Sequence, residues 1–251
     1  MPVSSERPTS PDAPLTRRST DVGHILRVAS YNLRDFKDDA DAAARVVRAI
    51  NADVLCLQEV PRHVLASYRT VSFAARCGLY WSGGHRGSGG TTVMSSLRLD
   101  ATNVQHLPLK VGGRFQRERG YALSKVRLPG HQRVDVLSMH LGLDADERAR
   151  HAAAILEALP GHGPLVVAGD LNEGADGRAW MALAGRLRVV TGDGPTFPVS
   201  NPRHRPDVIF ASPDLAVVPG GSLTLDPGDL LAATDHLPVW VDLDLSGVAL
   251  R

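Results

Sequence analysis

The sequence predicts an α/β fold in which two mixed β-sheets pack face to face with helices outside. Three observations predict it. Nearly unbroken apolar runs of strand length, such as Val54-Leu55-Cys56-Leu57 and Leu165-Val166-Val167-Ala168, read as strands covered on both faces. Segments with apolar residues at helical spacing lie between such runs. From Thr91 to Leu137 the pattern becomes strand after strand, broken at Pro108, Gly112-Gly113 and Pro129-Gly130.

Ile25 to Tyr31 is the first strand. Asp39 to Ile50 follows as a helix with Ala42, Val46, Val47 and Ile50 on one side. Asp53 to Leu57 is the next strand, and Val64 to Cys77 is a helix carrying Leu65, Tyr68 and Phe73. Gly78 and Gly83-Gly84 then reset the chain. Strands follow at Thr91 to Ser95, Ala101 to Leu107, Tyr121 to Leu128 and Arg133 to Ser138. Asp144 to Leu159 returns to helical spacing through Ala149, Ala152, Ala153, Leu156 and Leu159, and Pro160-Gly161 ends it. Leu165 to Ala168 is a buried strand and Ala175 to Leu183 a short helix. Leu187 to Val190, Val208 to Ala211, Leu215 to Val218 and Leu237 to Leu243 are short strands separated by turns rich in Gly, Pro and Asp.

A chain of 251 residues with 43% apolar content can bury one substantial core. Residues 25–251 are expected to form a single domain, and residues 1–24, with Pro2, Pro8, Pro11 and Pro14 among serines and threonines, a disordered leader. The net charge of +1 excludes a broad basic face that would coat long stretches of DNA. Nearly all basic residues are arginine, whose planar fork grips phosphate. Cys56 and Cys77 are too far apart and too unmotivated for a disulfide framework or a thiolate metal site. No segment has the length to span a membrane, and no export signal follows Arg17-Arg18, so a cytoplasmic location is expected.

Polar motifs stand where apolar runs end: Tyr31-Asn32, Gln58-Glu59, Ser138-Met139-His140, Gly169-Asp170-Leu171-Asn172, Asp207 and Asp235-His236. In an extended segment Asp170 and Asn172 point to the same side, so a carboxylate and an amide address one centre. An unpaired Glu59 buried after so apolar a strand would be costly, and emergence beside a divalent ion makes its charge useful. Asn32 adds an amide oxygen. His140 and His236 can meet over one phosphate, one ring contacting developing charge and the other handling the proton of an attacking water. Asp207 suits a partner role to His236, fixing the tautomer the ring presents. Zinc bound by the two histidines and a carboxylate is the competing assignment, but no short His-x-His or His-Glu-x-x-His spacing supports it.

In order and placement, Ala29-Ser30-Tyr31-Asn32, Ala52 through Glu59, Ser138-Met139-His140-Leu141, Gly169 through Asn172, Arg205 through Phe210 and Thr234 through Val239 resemble the motifs of the endonuclease/exonuclease/phosphatase superfamily. The resemblance runs from about Ile25 to Leu245. It implies a four-layered αββα sandwich and Mg²⁺-assisted hydrolysis of a phosphoester, with Mn²⁺ the other candidate ion. It implies Glu59 on the metal with Asn32 and Asp235 close by, Asp170 and Asn172 orienting water and substrate, and His140 and His236 bracketing the phosphate, with Asp207 turned toward His236. Arg119 is implied as a substrate-binding residue, because an Arg-Gly pair precedes a strand near this rim in relatives. One departure stands out: relatives resembling abasic-site nucleases carry an acidic residue two places beyond the asparagine matched by Asn32, and this chain has Arg34.

The expected function is a metal-dependent hydrolase cleaving phosphoesters, chiefly phosphodiesters, by direct attack of water. A DNA endonuclease or exonuclease, a phosphomonoesterase and a noncatalytic phosphate- or nucleic-acid-binding protein are the alternatives. The expected partner is a phosphate-ester substrate, either a small molecule or DNA, with no membrane insertion and no obligate protein partner.

Overall fold

The computed structural model describes residues 23–63, 65–84, 87–111, 117–219 and 223–248. Residues 1–22 of the expected leader, Val64 at the expected start of the second helix, and residues 112–116, with the break expected at Gly112-Gly113, lie outside the described residues. In chain order the elements are β1 (Ile25–Asn32), α1 (Ala40–Ile50), β2 (Val54–Gln58), α2 (Ala66–Cys77), β3 (Thr92–Ser95), β4 (Asp100–Ala101), β5 (Gln105–Leu109), β6 (Arg119–Arg127) and β7 (Val134–His140). They continue as α3 (Ala145–Ala158), β8 (Leu165–Asp170), α4 (Arg178–Ala184), β9 (Arg188–Val189), β10 (Asp207–Ala211), β11 (Ala216–Val218), α5 (Pro227–Ala233) and β12 (Val239–Asp244).

Two sheets result. One runs β11-β12-β1-β2-β3, the other β4-β6-β7-β8-β10-β9 with β5 also paired to β6. Both are mixed, since β1 and β2 are parallel, as are β7 and β8, while the remaining pairs are antiparallel. Period-two alternation sorts the strand residues into layers. Leu26, Val28, Val54 and Cys56 of one sheet face Val136, Val166, Ala168 and Ile209 of the other, forming the central core. The intervening residues Ala29, Tyr31, Leu55 and Leu57 pack outward on Val46, Val47, Ile50 and Phe73 of α1 and α2. On the other side Leu137, Met139, Val167 and Phe210 pack outward on Ile155, Trp180 and Leu183 of α3 and α4. Helix, sheet, sheet and helix make the four layers, and each fully buried Leu or Val contributes about 2 kcal/mol of transfer free energy.

Two differences from the sequence expectation have local causes. The strand expected from Ala101 to Leu107 is two pieces, because residues 102–104 face residues 124–125 of β6, a bulge in which Thr102 Oγ1 accepts from the Lys125 amide at 3.0 Å. Helix α5 was not expected from its spacing. It starts from Asp226, whose side chain accepts from the Asp229 amide at 2.8 Å, with Pro227 in the first turn. Cys56 and Cys77 are buried free thiols. Among the described residues no helix is long and apolar enough to cross a membrane.

Gly169 sets how β7 and β8 meet just below the rim. A Cβ built there would lie 2.0 Å from the Met139 carbonyl oxygen, so only glycine allows this approach. His140 and Asp170, the next pair in register, are thereby brought side by side.

Candidate active site

The alternation that fills the core with Val28, Cys56, Val136, Ala168 and Ile209 also aims the strand-end residues into the gap between the sheets. Asn32, Gln58, His140, Asp170 and Asp207 continue those inner rows. Asp170 is the hub, with His140 beside it on β7 and Asp207 on β10. Asn32 Nδ2 reaches across from the other sheet and donates to Asp170 Oδ2 at 2.9 Å, and the Asn172 amide donates to Oδ1 at 2.8 Å. His140 Nε2 and His236 Nε2 stand 3.5 and 3.8 Å from Asp170 Oδ2. Gln58 is a brace between the sheets: its Nε2 donates to Ser30 Oγ and Ser138 Oγ, each at 3.1 Å. Glu59 then leaves the strand in a left-handed conformation, φ 52°, with its Oε1 3.9 Å from His140 Nε2.

His236 comes from a different element, the loop before β12. The hairpin from Thr196 to His204 holds that loop, through Val199 N to Asp235 O at 2.7 Å and Leu237 N to Thr196 O at 2.8 Å. Phe197 packs its ring on the imidazole at 4.7 Å between centroids. Asp207 Oδ2 accepts from Thr196 Oγ1 at 2.5 Å and pairs with His236 Nδ1 at 2.9 Å. Burial lowers the His236 pKa, but the hydrogen bond to Asp207 and the charges of Asp207, Asp170 and Asp235 outweigh it and raise the pKa to about 9. The folded-state value thus lies above the ordinary 6.5. The stabilisation is complete below pH 6.5 and disappears as pH rises through about 9. In melting curves with chelator present, the stability gap between wild type and His236→Ala is expected to be larger by on the order of 3 kcal/mol near pH 6 than at about pH 9.5. A pH-independent gap would contradict the pairing.

His140 behaves oppositely. Burial lowers its pKa to about 3, helped by Arg119, Arg117 and His236 and opposed by Asp170, so the ring is neutral. Arg119, buried at the start of β6, places Nη1 2.9 Å from His140 Nδ1. A guanidinium only donates, so Nδ1 accepts and the neutral ring carries its proton on Nε2. That nitrogen lies 3.5 Å from Asp170 Oδ2 at the cleft and 3.0 Å from Asn172 Nδ2, which donates to the Leu141 carbonyl at 2.9 Å. Arg119, expected from sequence to touch substrate, therefore stands behind His140.

At the rim, both remaining carboxylates meet arginines. Glu59 Oε1 is 3.3 Å from Arg117 Nη1, and Asp235 Oδ2 is 3.3 Å from Arg34 Nε. Asn32 Oδ1 accepts from the Arg34 backbone amide at 3.0 Å. Sequence reasoning placed Glu59, Asn32, Asp235, His140, Asp170, Asn172, Asp207 and His236, and the structure brings them all to one cleft. Arg117 and Thr196 join them. The sequence marks Arg117 only as one of the arginines between Lys110 and Gly120 that could bring a cation to a substrate, and Thr196 reaches Asp207 through a hairpin whose pairing no local pattern shows.

Carboxylate and amide oxygens dominate the donor set, which suits a hard divalent ion. Asp170, Asp207 and His236 each offer a ligand atom within 4.8 Å of the others, and Asp207 Oδ1 is buried without a hydrogen-bond partner.

The sequence of residues 29–236 matches the family model described as endonuclease/exonuclease/phosphatase family. The fold is similar to an endonuclease/exonuclease/phosphatase from Bacteroides vulgatus at TM-score 0.71 and 18% identity, over 88% of this chain and 99% of that one. A second similar structure, from Beutenbergia cavernae, is 26% identical with TM-score 0.68, over 91% of this chain and 74% of that one. The mannosyl-6-phosphatase of Bacteroides thetaiotaomicron is 19% identical with TM-score 0.68, over 87% of this chain and 99% of that one. No curated protein matches the chain in sequence. With the motifs in order and the strand ends converging, the chain belongs to the endonuclease/exonuclease/phosphatase family.

Proposed function

We propose that this protein hydrolyses phosphoesters, preferentially phosphodiesters, by direct attack of water, with residues 25–251 as one catalytic unit. The observation that carries the reading is the hub itself: one buried carboxylate, Asp170, sits within 3.5 and 3.8 Å of two imidazoles, one with its pKa pushed down by burial and the other with its pKa raised by Asp207. Such a pair is useful only where a proton must be taken at one point and charge stabilised at another. Asp170 and Asn172 orient the water, and Asp170 takes its proton as oxygen bonds to phosphorus. His140 donates from Nε2 to a phosphoryl oxygen, held by Arg119. His236, protonated and tied to Asp207, faces the same phosphate and supplies a proton as the leaving oxygen departs.

A Mg²⁺ or Mn²⁺ ion fits Glu59, with Asn32 and Asp235 close by. The deeper set of Asp170, Asp207 and His236 is less suited, because hydrogen bonds already claim both Asp170 oxygens, Asp207 Oδ2 and His236 Nδ1. Glu59, by contrast, meets the partly exposed Arg117 at 3.3 Å, and Asp235 meets the partly exposed Arg34 and Thr234 Oγ1, each at 3.3 Å. The bound ion supplies Lewis-acid charge to the phosphoryl and leaving oxygens. Near-neutral net charge favours a small diester over long DNA.

Turnover of bis-p-nitrophenyl phosphate, p-nitrophenyl phosphate and plasmid DNA with Mg²⁺, Mn²⁺ or chelator tests the proposal. The diester is expected to be cleaved fastest, with activity falling at least about a hundredfold on chelation. Phosphate binding without hydrolysis across the panel would instead mark a noncatalytic binding protein.

A further inference from the structure

Arg34, Asp35 and Phe36 form a turn in which all three non-glycine residues are left-handed, with φ of 46°, 57° and 51°. Strain of this kind persists only where surroundings over-determine it. Here the Asp35 amide donates to the Glu59 carbonyl at 2.7 Å, and the Phe36 ring packs on Phe73 at 4.9 Å between centroids. Arg69 Nη2 also donates to the Phe36 carbonyl at 2.7 Å. The turn is a fixed mount beside the end of β2.

Two guanidinium groups are carried on it, each held from outside the cleft. Arg117 Nη2 donates to Asp35 Oδ2 at 2.7 Å, and Arg34 Nη1 lies 3.4 Å from Asp38. Their other nitrogens meet the rim carboxylates, Arg117 at Glu59 and Arg34 at Asp235, both at 3.3 Å. Those carboxylates stand 3.9 Å from His140 Nε2 and 4.0 Å from His236 Nε2, so one arginine lies beyond each imidazole. We propose that Arg34 and Arg117 form a guanidinium clamp on the anionic phosphoryl group of the substrate. The proposal rests on the hydrolase reading above, and it adds two substrate ligands to that site. Planar forks anchored on one edge present the other edge to phosphate oxygens with little ordering cost.

The same geometry gives the clamp a signature. Each arginine competes with a cation for Glu59 or Asp235 and also attracts phosphate, so losing it moves the two affinities in opposite directions. The full-length protein serves for the test. Arg34→Gly removes the guanidinium while suiting the left-handed backbone, and Arg117→Met removes the other. Mn²⁺ binding, followed by electron paramagnetic resonance, is expected to tighten by up to about fivefold in each variant. Inorganic phosphate binding at saturating Mn²⁺, followed by calorimetry, is expected to weaken by about tenfold. Arg34→Lys and Arg117→Lys should regain part of the phosphate affinity. Both affinities falling together would mark a structural role and overturn the clamp, as would unchanged phosphate affinity. Diester hydrolysis with unchanged phosphate binding in the variants would sink the clamp and leave the hydrolase reading standing. Arginine-dependent phosphate binding without metal-dependent hydrolysis would do the reverse.

Discussion

Asp170→Asn is expected to lower phosphodiester turnover by about a thousandfold, roughly 4 kcal/mol of lost transition-state stabilisation. In the proposed mechanism the carboxylate takes the proton of the attacking water, and its charge faces both imidazoles. An asparagine keeps the size, and its oxygen can still accept from the Asn172 amide, but its nitrogen then turns toward Asn32 Nδ2, donor against donor. Some stability should go as well, about 1 to 2 kcal/mol. Turnover at saturating Mn²⁺ and a thermal melt on the same sample separate the two losses. A folded variant with near-wild-type rate would remove Asp170 from the chemistry.

The second large effect is expected at Asp207→Asn. The carboxylate anchors His236 Nδ1 and sustains its positive charge, with Thr196 fixing the same oxygen from the other side. An amide supplies neither the charge nor a defined tautomer. In hydrolases whose histidine is oriented this way the corresponding change costs about 10⁴ in rate, and a loss on the order of 10³ to 10⁴ is expected here. The pH dependence of stability described for His236 should flatten in the same variant. Survival of both the rate and the pH dependence would show that His236 works without Asp207.

The candidate site was largely legible because its residues sit at the ends of strands whose alternation is visible in the sequence. Val136 and Ser138 predict the side on which His140 falls, and Val166 and Ala168 do the same for Asp170. What could not be read was anything decided by partners distant along the chain. Gln58 shares a motif with Glu59, yet it braces Ser30 and Ser138, because the two residues leave the strand on different courses. Arg119 was expected at the substrate, and only the β6 to β7 register places it behind His140. The bulge at residues 102–104 and the seven-residue α5 depend on a side-chain cap and a cross-strand hydroxyl, which leave no apolar period to detect.

Strand β12 pairs with β1 from Ile25 to Ser30, with Ile25 opposite Asp244. Strand β1 therefore lacks one of its two neighbours until β12 has emerged from the ribosome. Closure of so distant a pair is slow, and until then the open edge of β1 is exposed to other growing polypeptides. His236, just ahead of β12, arrives with that strand, so the candidate site cannot close around Asp170 before it.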